Sequence, residues 1–233
     1  MKQESIDRGT LVDAVYGRIN DDIRKRYFSP GQKLVIRELS ERYGISQTPI
    51  KQALNRLVAD RVVENIPRYG VYVRRITLEE IDEAMQARLM VEEYCVPFVI
   101  KAAKNPLFIE KAESIIQGHA ALRGNADYDE IFTKHIQFDM QFHKLFINCC
   151  GNSNIIGYFN ELTSPIYLNY VYFGKTMKRL WASFDEHLAV FEAVRAGQAA
   201  AVRKAIASHN RKTREDYLII LTKEENGAGV KAP

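Results

Sequence analysis

Several features are scarce in this sequence, and each scarcity excludes a class of protein. The chain has 233 residues but only three cysteines, two of them adjacent (Cys149 and Cys150), and it has no Cys-x-x-Cys pair. A disulfide framework and a Cys-x-x-Cys zinc site are therefore excluded. No stretch approaches the roughly 18 uninterrupted apolar residues of a membrane helix, and the first residues lack the apolar core of a signal peptide. We expect a soluble, cytoplasmic protein with no membrane partner.

Familiar catalytic motifs are missing as well. The sequence contains no His-Glu-x-x-His helix, no Glu-x-x-His pair of the di-iron bundles, no phosphate-binding Gly-x-x-x-x-Gly-Lys loop and no Gly-x-Ser-x-Gly elbow. These absences argue against an enzyme.

Charge is distributed unevenly along the chain. The first 75 residues contain 15 Lys and Arg against 9 Asp and Glu, whereas the rest contain 18 against 20. Apolar residues make up 46% of the chain, which is enough to give each part a core. We predict a basic domain over residues 1–75, a near-neutral domain over 76–223 and a disordered tail over 224–233. A basic N-terminal domain suggests binding to a polyanion, although ordinary domains can carry the same excess of positive charge.

The first 75 residues have the pattern of three helices followed by a hairpin. Apolar residues at four-residue steps predict a first helix over about 10–27, a short second helix over 36–43 ends at Gly44, and a third helix covers about 47–60. Strand-like segments flank the turn Pro67-Arg68-Tyr69. This order is typical of a winged helix-turn-helix domain.

Polar and basic residues occur where such a domain meets DNA. They open the second helix, open the third helix or lie at the tip of the hairpin: Arg37, Gln47, Thr48, Lys51 and Arg68. Ser46 suits the N-cap of the third helix. From spacing alone, a small helical domain with a solvated charged face is the alternative.

Beyond residue 75 the pattern is helical throughout. We predict six helices, at about 78–103, 106–123, 128–150, 153–175, 184–196 and 198–222. Capping boxes at Thr77-x-x-Glu80 and Ser183-x-x-Glu186, and Asn105 before Pro106, mark helix starts. The predicted fold class is therefore mostly α, with an N-terminal winged helix-turn-helix and a C-terminal all-α bundle.

Three of these helices carry polar residues on stripes that are otherwise apolar. Asp139 and His143 lie four residues apart on one helix, and His187 and His209 occupy inward positions on two later helices. Buried polar groups must satisfy one another, and a divalent cation bound by one carboxylate and three imidazoles achieves this. Zinc, nickel, manganese or iron suits such a site. The alternative is that each histidine is an ordinary core residue bonded to a carbonyl oxygen or to Asp139.

Other polar residues of this domain are harder to place. Arg88 and Glu92 are four residues apart and predict an ion pair, usually a surface contact. If the helix turns Arg88 toward the histidines, its guanidinium could bind a carboxylate ligand through two hydrogen bonds. We interpret His119 as a surface residue and His135 as a partly buried structural histidine.

Both parts of the chain resemble one known family. The segments 30–34 and 37–54, which include Arg37-Glu-Leu-Ser-Glu-Arg-Tyr-Gly-Ile-Ser-Gln-Thr-Pro-Ile-Lys51, and the wing 67–73 resemble the winged helix-turn-helix of GntR-family transcription regulators. Residues 88–92, 139–143, 186–187 and His209 resemble the FCD effector domain of the FadR subfamily. A C-terminal domain with six helices, and not seven, resembles the shorter, VanR-like branch of this subfamily. The resemblance covers about residues 10–222.

The resemblance implies a homodimer that binds a near-palindromic double-stranded DNA operator and responds to a small organic acid held beside a divalent metal. It implies the metal ligands Asp139, His143, His187 and His209. Arg88, if its helix turns it toward these residues, is the candidate contact for the organic acid. The resemblance also adds Ser46, Tyr69 and Gly70 to the DNA-binding residues. A metal-dependent enzyme with a nucleic-acid-binding head is the alternative function.

One departure from the family pattern lies in the recognition helix. Two arginines that are usual there are replaced by Gln47 and Lys51. Glutamine can still read adenine and lysine can still hold phosphate or guanine, so we expect binding to persist with a shifted operator sequence.

Overall fold

The computed structural model describes residues 8–124, 127–163 and 176–225. The described residues fall into two compact units, one ending at Ile76 and the other beginning at Thr77. Each unit has its own hydrophobic core.

Three helices form most of the N-terminal unit: α1 (Arg8–Arg24), α2 (Ile36–Tyr43) and α3 (Gln47–Ala59). α1 contributes Val15, Ile19 and Ile23 to the core, at the predicted four-residue spacing. Gly44 ends α2 in the left-handed conformation (φ 67°, ψ 31°), and its N–H donates to the carbonyl of Ser40. The chain can therefore turn sharply into α3.

A small antiparallel sheet completes this unit. Its strands are β1 (Lys33–Leu34), β2 (Val63–Ile66) and β3 (Gly70–Val73), in the order β1-β3-β2. Ile66 pairs with Gly70 across the hairpin, and Leu34 pairs with Val71. The hairpin agrees with the sequence prediction. β1 was not predicted, because a strand of two residues carries no detectable alternation.

The C-terminal unit is entirely helical over the residues described. Its helices are α4 (Leu78–Ala102), α5 (Pro106–Ala120), α6 (Tyr128–Asn148), α7 (Ser153–Leu162), α8 (Met177–Arg195) and α9 (Ala199–Glu225). Thr77 and Glu80 form the predicted capping box at the start of α4. Asn105 accepts a hydrogen bond from the N–H of Leu107 at the start of α5. The predicted mostly helical fold is confirmed.

Two predicted helix caps differ from the structure. α8 begins earlier than predicted, because Thr176 caps it by accepting a hydrogen bond from the N–H of Arg179. The predicted capping box at Ser183 is therefore wrong, and Ser183 lies buried inside α8. Ser46 occupies the N-cap position of α3 but makes no side-chain capping bond.

Two other predictions fall partly on residues that the structure does not describe. Residues 164–175 of the helix predicted over 153–175 lie outside the described residues. In the tail predicted over 224–233, the first two residues belong to α9, and residues 226–233 lie outside the described residues.

The core of the C-terminal unit surrounds its inner helices. α9 packs against α4 and α8, and α6 packs against α4, α5 and α8. Aromatic side chains fill much of the interior, including Phe142, Phe146, Phe159, Phe184 and Phe191. In the part of the chain that the structure describes, no helix combines the length and the apolar character of a membrane span.

Candidate functional site

The four predicted metal ligands converge inside the C-terminal unit. Asp139 and His143 project from α6, His187 from α8 and His209 from α9. One potential ligand atom from each residue lies within 4.8 Å of the others. The three histidines are buried, and the side chain of Asp139 is 14% exposed. The spacing on three helices thus brings these side chains to one point, which we call the histidine cluster.

Contacts within the histidine cluster are close. His187 Nε2 lies 3.3 Å from Asp139 Oδ1 and 3.1 Å from His143 Nε2. The ring centroids of His187 and His209 are 4.5 Å apart. Imidazole nitrogens and a carboxylate oxygen therefore face a common point, as they do where they coordinate a divalent cation.

The electrostatics of the cluster favour one protonation state. Burial opposes ionisation of Asp139, but His187, His143 and Arg88 outweigh it and hold the pKa of the carboxyl well below its usual value. Burial, reinforced by neighbouring histidines, lowers the pKa of His187 well below its usual value, and burial also lowers the pKa of His209. The favoured state of these three groups is an ionised Asp139 with neutral His187 and His209, and this is the state in which such side chains bind metal.

Arg88 and Glu92 form a buried ion pair beside the cluster and not a surface contact. Arg88 Nε donates to Glu92 Oε1 at 3.0 Å, and Arg88 Nη2 lies 2.6 Å from His143 Nε2. Burial disfavours ionisation of Glu92, but Arg88 and His143 outweigh it and lower its pKa to about 2. The guanidinium therefore points at the histidines and not at solvent.

Two glutamates that touch the histidines were not predicted as part of the site. Glu92 Oε1 lies 2.8 Å from His143 Nδ1, and Glu186 Oε2 lies 2.8 Å from His209 Nδ1. The sequence did contain a signal for Glu92, because it continues the buried stripe of α4 that includes Met85. Glu186 was assigned instead to a capping box at Ser183, and this assignment hid its contact with His209.

A second pair of histidines, outside the histidine cluster, is formed by one residue of α5 and one of α6. His119 Nε2 is 2.7 Å from His135 Nδ1, and both residues are buried. The prediction that His119 lies on the surface is wrong, because α5 packs its ring against Phe138 and Phe184. His135 is more deeply buried than predicted.

The predicted DNA-binding residues lie on the surface of the N-terminal unit. α3 buries Ala53, Leu54 and Leu57 in the core and presents its opposite face to solvent. The side chain of Arg37 is 80% exposed and forms an ion pair with Glu41 at 2.9 Å. Gly70 is half-buried, and the other predicted contacts are exposed: Arg37, Ser46, Gln47, Thr48, Lys51, Arg68 and Tyr69.

The tip of the hairpin has an unusual backbone. Arg68 has a positive φ of 69° and Gly70 a φ of 105°. The N–H of Tyr69 donates to the carbonyl of Ile66 at 3.0 Å and closes the turn. A Cβ atom at Gly70 would approach the side chain of Lys33 to 3.3 Å, so glycine suits both the conformation and the space.

Comparison with known proteins identifies the class of this chain. The family model of bacterial regulatory proteins of the gntR family matches residues 11–73, and the FCD domain model matches residues 83–212. The chain therefore belongs to the GntR family, with an FCD domain as its second part. It is a DNA-binding transcriptional regulator.

Individual relatives agree with this assignment. The HTH-type transcriptional regulator YdhC of Bacillus subtilis is 22% identical over 194 residues, which cover 83% of this chain and 85% of that protein. The Uxu operon regulator of Haemophilus influenzae is 25% identical over 223 residues, which cover 85% and 80%. Among solved structures, E. coli McbR/YncC has a similar fold, with a TM-score of 0.66 and 17% identity over 92% of this chain and 98% of that one. Because the family and these relatives are regulators, the alternative of a metal-dependent enzyme is not supported.

Proposed function

We propose that this regulator is controlled by a small organic acid that binds beside a divalent metal in the FCD domain. The observation that carries the proposal is the convergence of four ligand atoms within 4.8 Å: Asp139, His143, His187 and His209. Three imidazoles and one carboxylate suit zinc, nickel, manganese or iron. When bound, such a cation supplies a Lewis-acidic coordination position for a carboxylate oxygen of the effector.

Arg88 supports the choice of a carboxylate effector. Its guanidinium is buried and lies against His143, so its N–H donors reach the region of the cluster. Glu92 accepts from Arg88 Nε and keeps the guanidinium charged in a buried position. A guanidinium binds a carboxylate through two parallel hydrogen bonds, which a lysine cannot do.

The N-terminal unit supports readout of an operator in the major groove. The exposed polar face of α3 carries Gln47, Thr48 and Lys51, and the hairpin tip carries Arg68. A helix of this kind reads base edges, while the basic wing contacts the DNA backbone. Because a two-fold dimer presents two such helices, we propose a near-palindromic operator and action in the cytoplasm, where bacterial DNA is found.

An exposed apolar face on α4 supports a homodimer. Met90 is 61% exposed and Tyr94 is 48% exposed, and both line a groove with Pro97 and Phe98. Exposed apolar side chains that share one face of a helix mark association surfaces, and a second copy of this chain would cover them. Met90→Glu should therefore convert the dimer into a monomer in light scattering, whereas the exposed Ile219→Glu should not.

Elemental analysis of the purified protein tests the metal site. Wild type and His143→Ala are incubated with zinc or manganese and then dialysed, with His119→Gln as the matched histidine control. We expect one metal per chain in wild type and in the control, and loss of the metal in His143→Ala. Wild type without metal would reject the site and leave the DNA-binding assignment intact.

Effector control requires a difference in affinity between two conformations. An effector that binds the DNA-competent and DNA-incompetent states equally well shifts neither population. Small organic acids are therefore titrated into the protein–DNA complex, and the affinity of the protein for DNA is measured. Only the true effector should change this affinity, and only when the protein is loaded with metal. An acid that binds with equal affinity to free and DNA-bound protein would not be the effector.

A further inference from the structure

Two glutamates approach the histidine cluster from outside. Glu92 Oε1 lies 2.8 Å from His143 Nδ1, and Glu186 Oε2 lies 2.8 Å from His209 Nδ1. Both carboxylates are well shielded, since their side chains are 2% and 8% exposed. In His143 the carboxylate contacts Nδ1, whereas Nε2 of the same ring lies 3.1 Å from His187 Nε2 inside the cluster.

The tautomer of His143 follows from the chemistry of its two neighbours. An arginine guanidinium can only donate hydrogen bonds, and an ionised carboxylate can only accept them. Arg88 Nη2 lies 2.6 Å from His143 Nε2, so Nε2 must accept. Glu92 lies on the other side, so Nδ1 must donate. Both contacts therefore place the ring proton on Nδ1 and leave a lone pair on Nε2.

The same reasoning applies to His209 through a different set of charges. Arg179 Nη1 and Lys212 Nζ lie 3.1 Å and 3.2 Å from Glu186 Oε1. These two cations favour the ionised form of Glu186, whose other oxygen then accepts a hydrogen bond from His209. The ring proton of His209 therefore lies on Nδ1, which leaves a lone pair on Nε2.

His187 differs from the other two histidines. Its Nδ1 is buried and has no hydrogen-bond partner among the residues that the structure describes. Its Nε2 lies beside Asp139 and His143 inside the cluster. The three histidines are therefore not equivalent, because only two of them are held by a carboxylate from behind.

We infer that Glu92 and Glu186 are positioning residues for His143 and His209. Glu186 fixes the tautomer of His209, Glu92 acts together with Arg88 on the tautomer of His143, and each carboxylate orients its ring so that Nε2 is presented to the histidine cluster. A carboxylate behind a ligating imidazole orients the ring and raises its basicity, which strengthens metal binding. The inference rests on the proposed function for its metal-binding part. The tautomers themselves are a property of the metal-free chain.

Nitrogen-15 NMR of the metal-free protein at neutral pH tests the tautomers directly. We expect a protonated Nδ1 and an unprotonated Nε2 for His143 and His209 in wild type. In Glu186→Gln, the amide can donate as well as accept, so His209 should show both tautomers. Glu92→Gln should leave the tautomer of His143 unchanged, because Arg88 still donates to Nε2. Glu93→Gln, which makes the same chemical change on the next residue of α4, serves as the control.

Titration with zinc alone tests the effect on metal binding. We expect the zinc affinity of Glu92→Gln and of Glu186→Gln to fall by about 10–100-fold relative to Glu93→Gln. Circular dichroism shows whether each variant is folded. If Glu92→Gln does not fold, Glu186→Gln decides the question, because Glu186 lies nearer the surface and retains the neighbours Arg179 and Lys212.

The outcomes separate this inference from the proposed metal site. A wild-type His143 or His209 that carries its proton on Nε2 would overturn the inference, and so would zinc affinities of both glutamine variants that match the control. If wild type shows the expected tautomers but binds no zinc, the proposed metal site fails. The positioning of His209 by Glu186 is then supported by the change of its tautomer in Glu186→Gln, which needs no metal.

Discussion

The guanidinium of Arg203 on α9 donates a hydrogen bond of 3.0 Å to the backbone carbonyl of Glu93 on α4. This carbonyl lies four residues before Pro97, which is inside α4 and has no N–H to donate. Arg203 therefore supplies the hydrogen bond that proline removes from the helix. It also links α9 to α4 at the groove that Met90 and Tyr94 line.

Replacing Arg203 by methionine should destabilise the protein more in the presence of Pro97 than in its absence. We expect Arg203→Met to lower the free energy of unfolding by about 0.5–1 kcal/mol, because the carbonyl is exposed enough to bind water instead. In a Pro97→Ala background the loss should be smaller, since residue 97 then donates to the same oxygen. Urea unfolding of the four proteins gives the coupling energy. Equal losses in both backgrounds would assign the effect of Arg203 to other contacts.

Removing the charge of Lys51 should weaken DNA binding and flatten its salt dependence. Each phosphate contact that is lost lowers the slope of log affinity against log salt by about one. We expect this reduction for Lys51→Ala on a generic duplex in fluorescence anisotropy at several salt concentrations. Lys104→Ala, at an exposed position of the C-terminal unit, is the control. An unchanged slope for Lys51→Ala would remove this residue from the interface.

Exchanging Arg88 for lysine should separate effector binding from metal binding. Lysine keeps the positive charge beside Glu92 but cannot form two parallel hydrogen bonds with a carboxylate. We expect Arg88→Lys to retain its metal and to bind small organic acids, such as malate and citrate, more weakly than wild type in calorimetry. Equal affinities would show that Arg88 serves only the buried ion pair.

His119 should make stability depend on pH in the acidic range. Burial lowers its pKa from 6.5 to about 4, while the nearby charges of Asp139 and Arg123 act in opposite directions. The unfolded chain therefore binds a proton at higher pH than the folded chain. The stability from the neutral ring is fully present above pH 6.5 and is lost as the pH falls toward 4.

The matched variant isolates this contribution. His119→Gln can keep a hydrogen bond to His135 and does not titrate, so the loss of unfolding free energy on acidification should be smaller by about 2–3 kcal/mol than in wild type. Urea unfolding at several pH values measures both curves. Parallel curves would mean that His119 titrates normally in the folded protein.

Much of the fold and of the candidate site could be predicted from local patterns. Asp139 and His143 were placed together because helical periodicity fixes which residues share a face. Arg88 was assigned only conditionally to the histidines, because spacing alone does not show which way a charged residue on a buried helix turns.

The parts that could not be predicted depend on contacts between distant segments. Glu186 is held by His209, 23 residues away on another helix, and no local pattern records that contact. His119 resembled a surface residue because it lies near a helix end, but α6 and α8 cover it with Phe138 and Phe184. β1 exists only because β3 pairs with it.

The backbone of Arg68 implies a compromise between the stability of the wing and its use. A left-handed conformation costs a non-glycine residue on the order of 1 kcal/mol, and asparagine tolerates it better than arginine. A wing selected for thermal resistance alone would not carry arginine at this position. Arg68→Asn should therefore raise the melting temperature of the protein and weaken its binding to DNA. The more stable variant would then be the one that binds its operator less tightly.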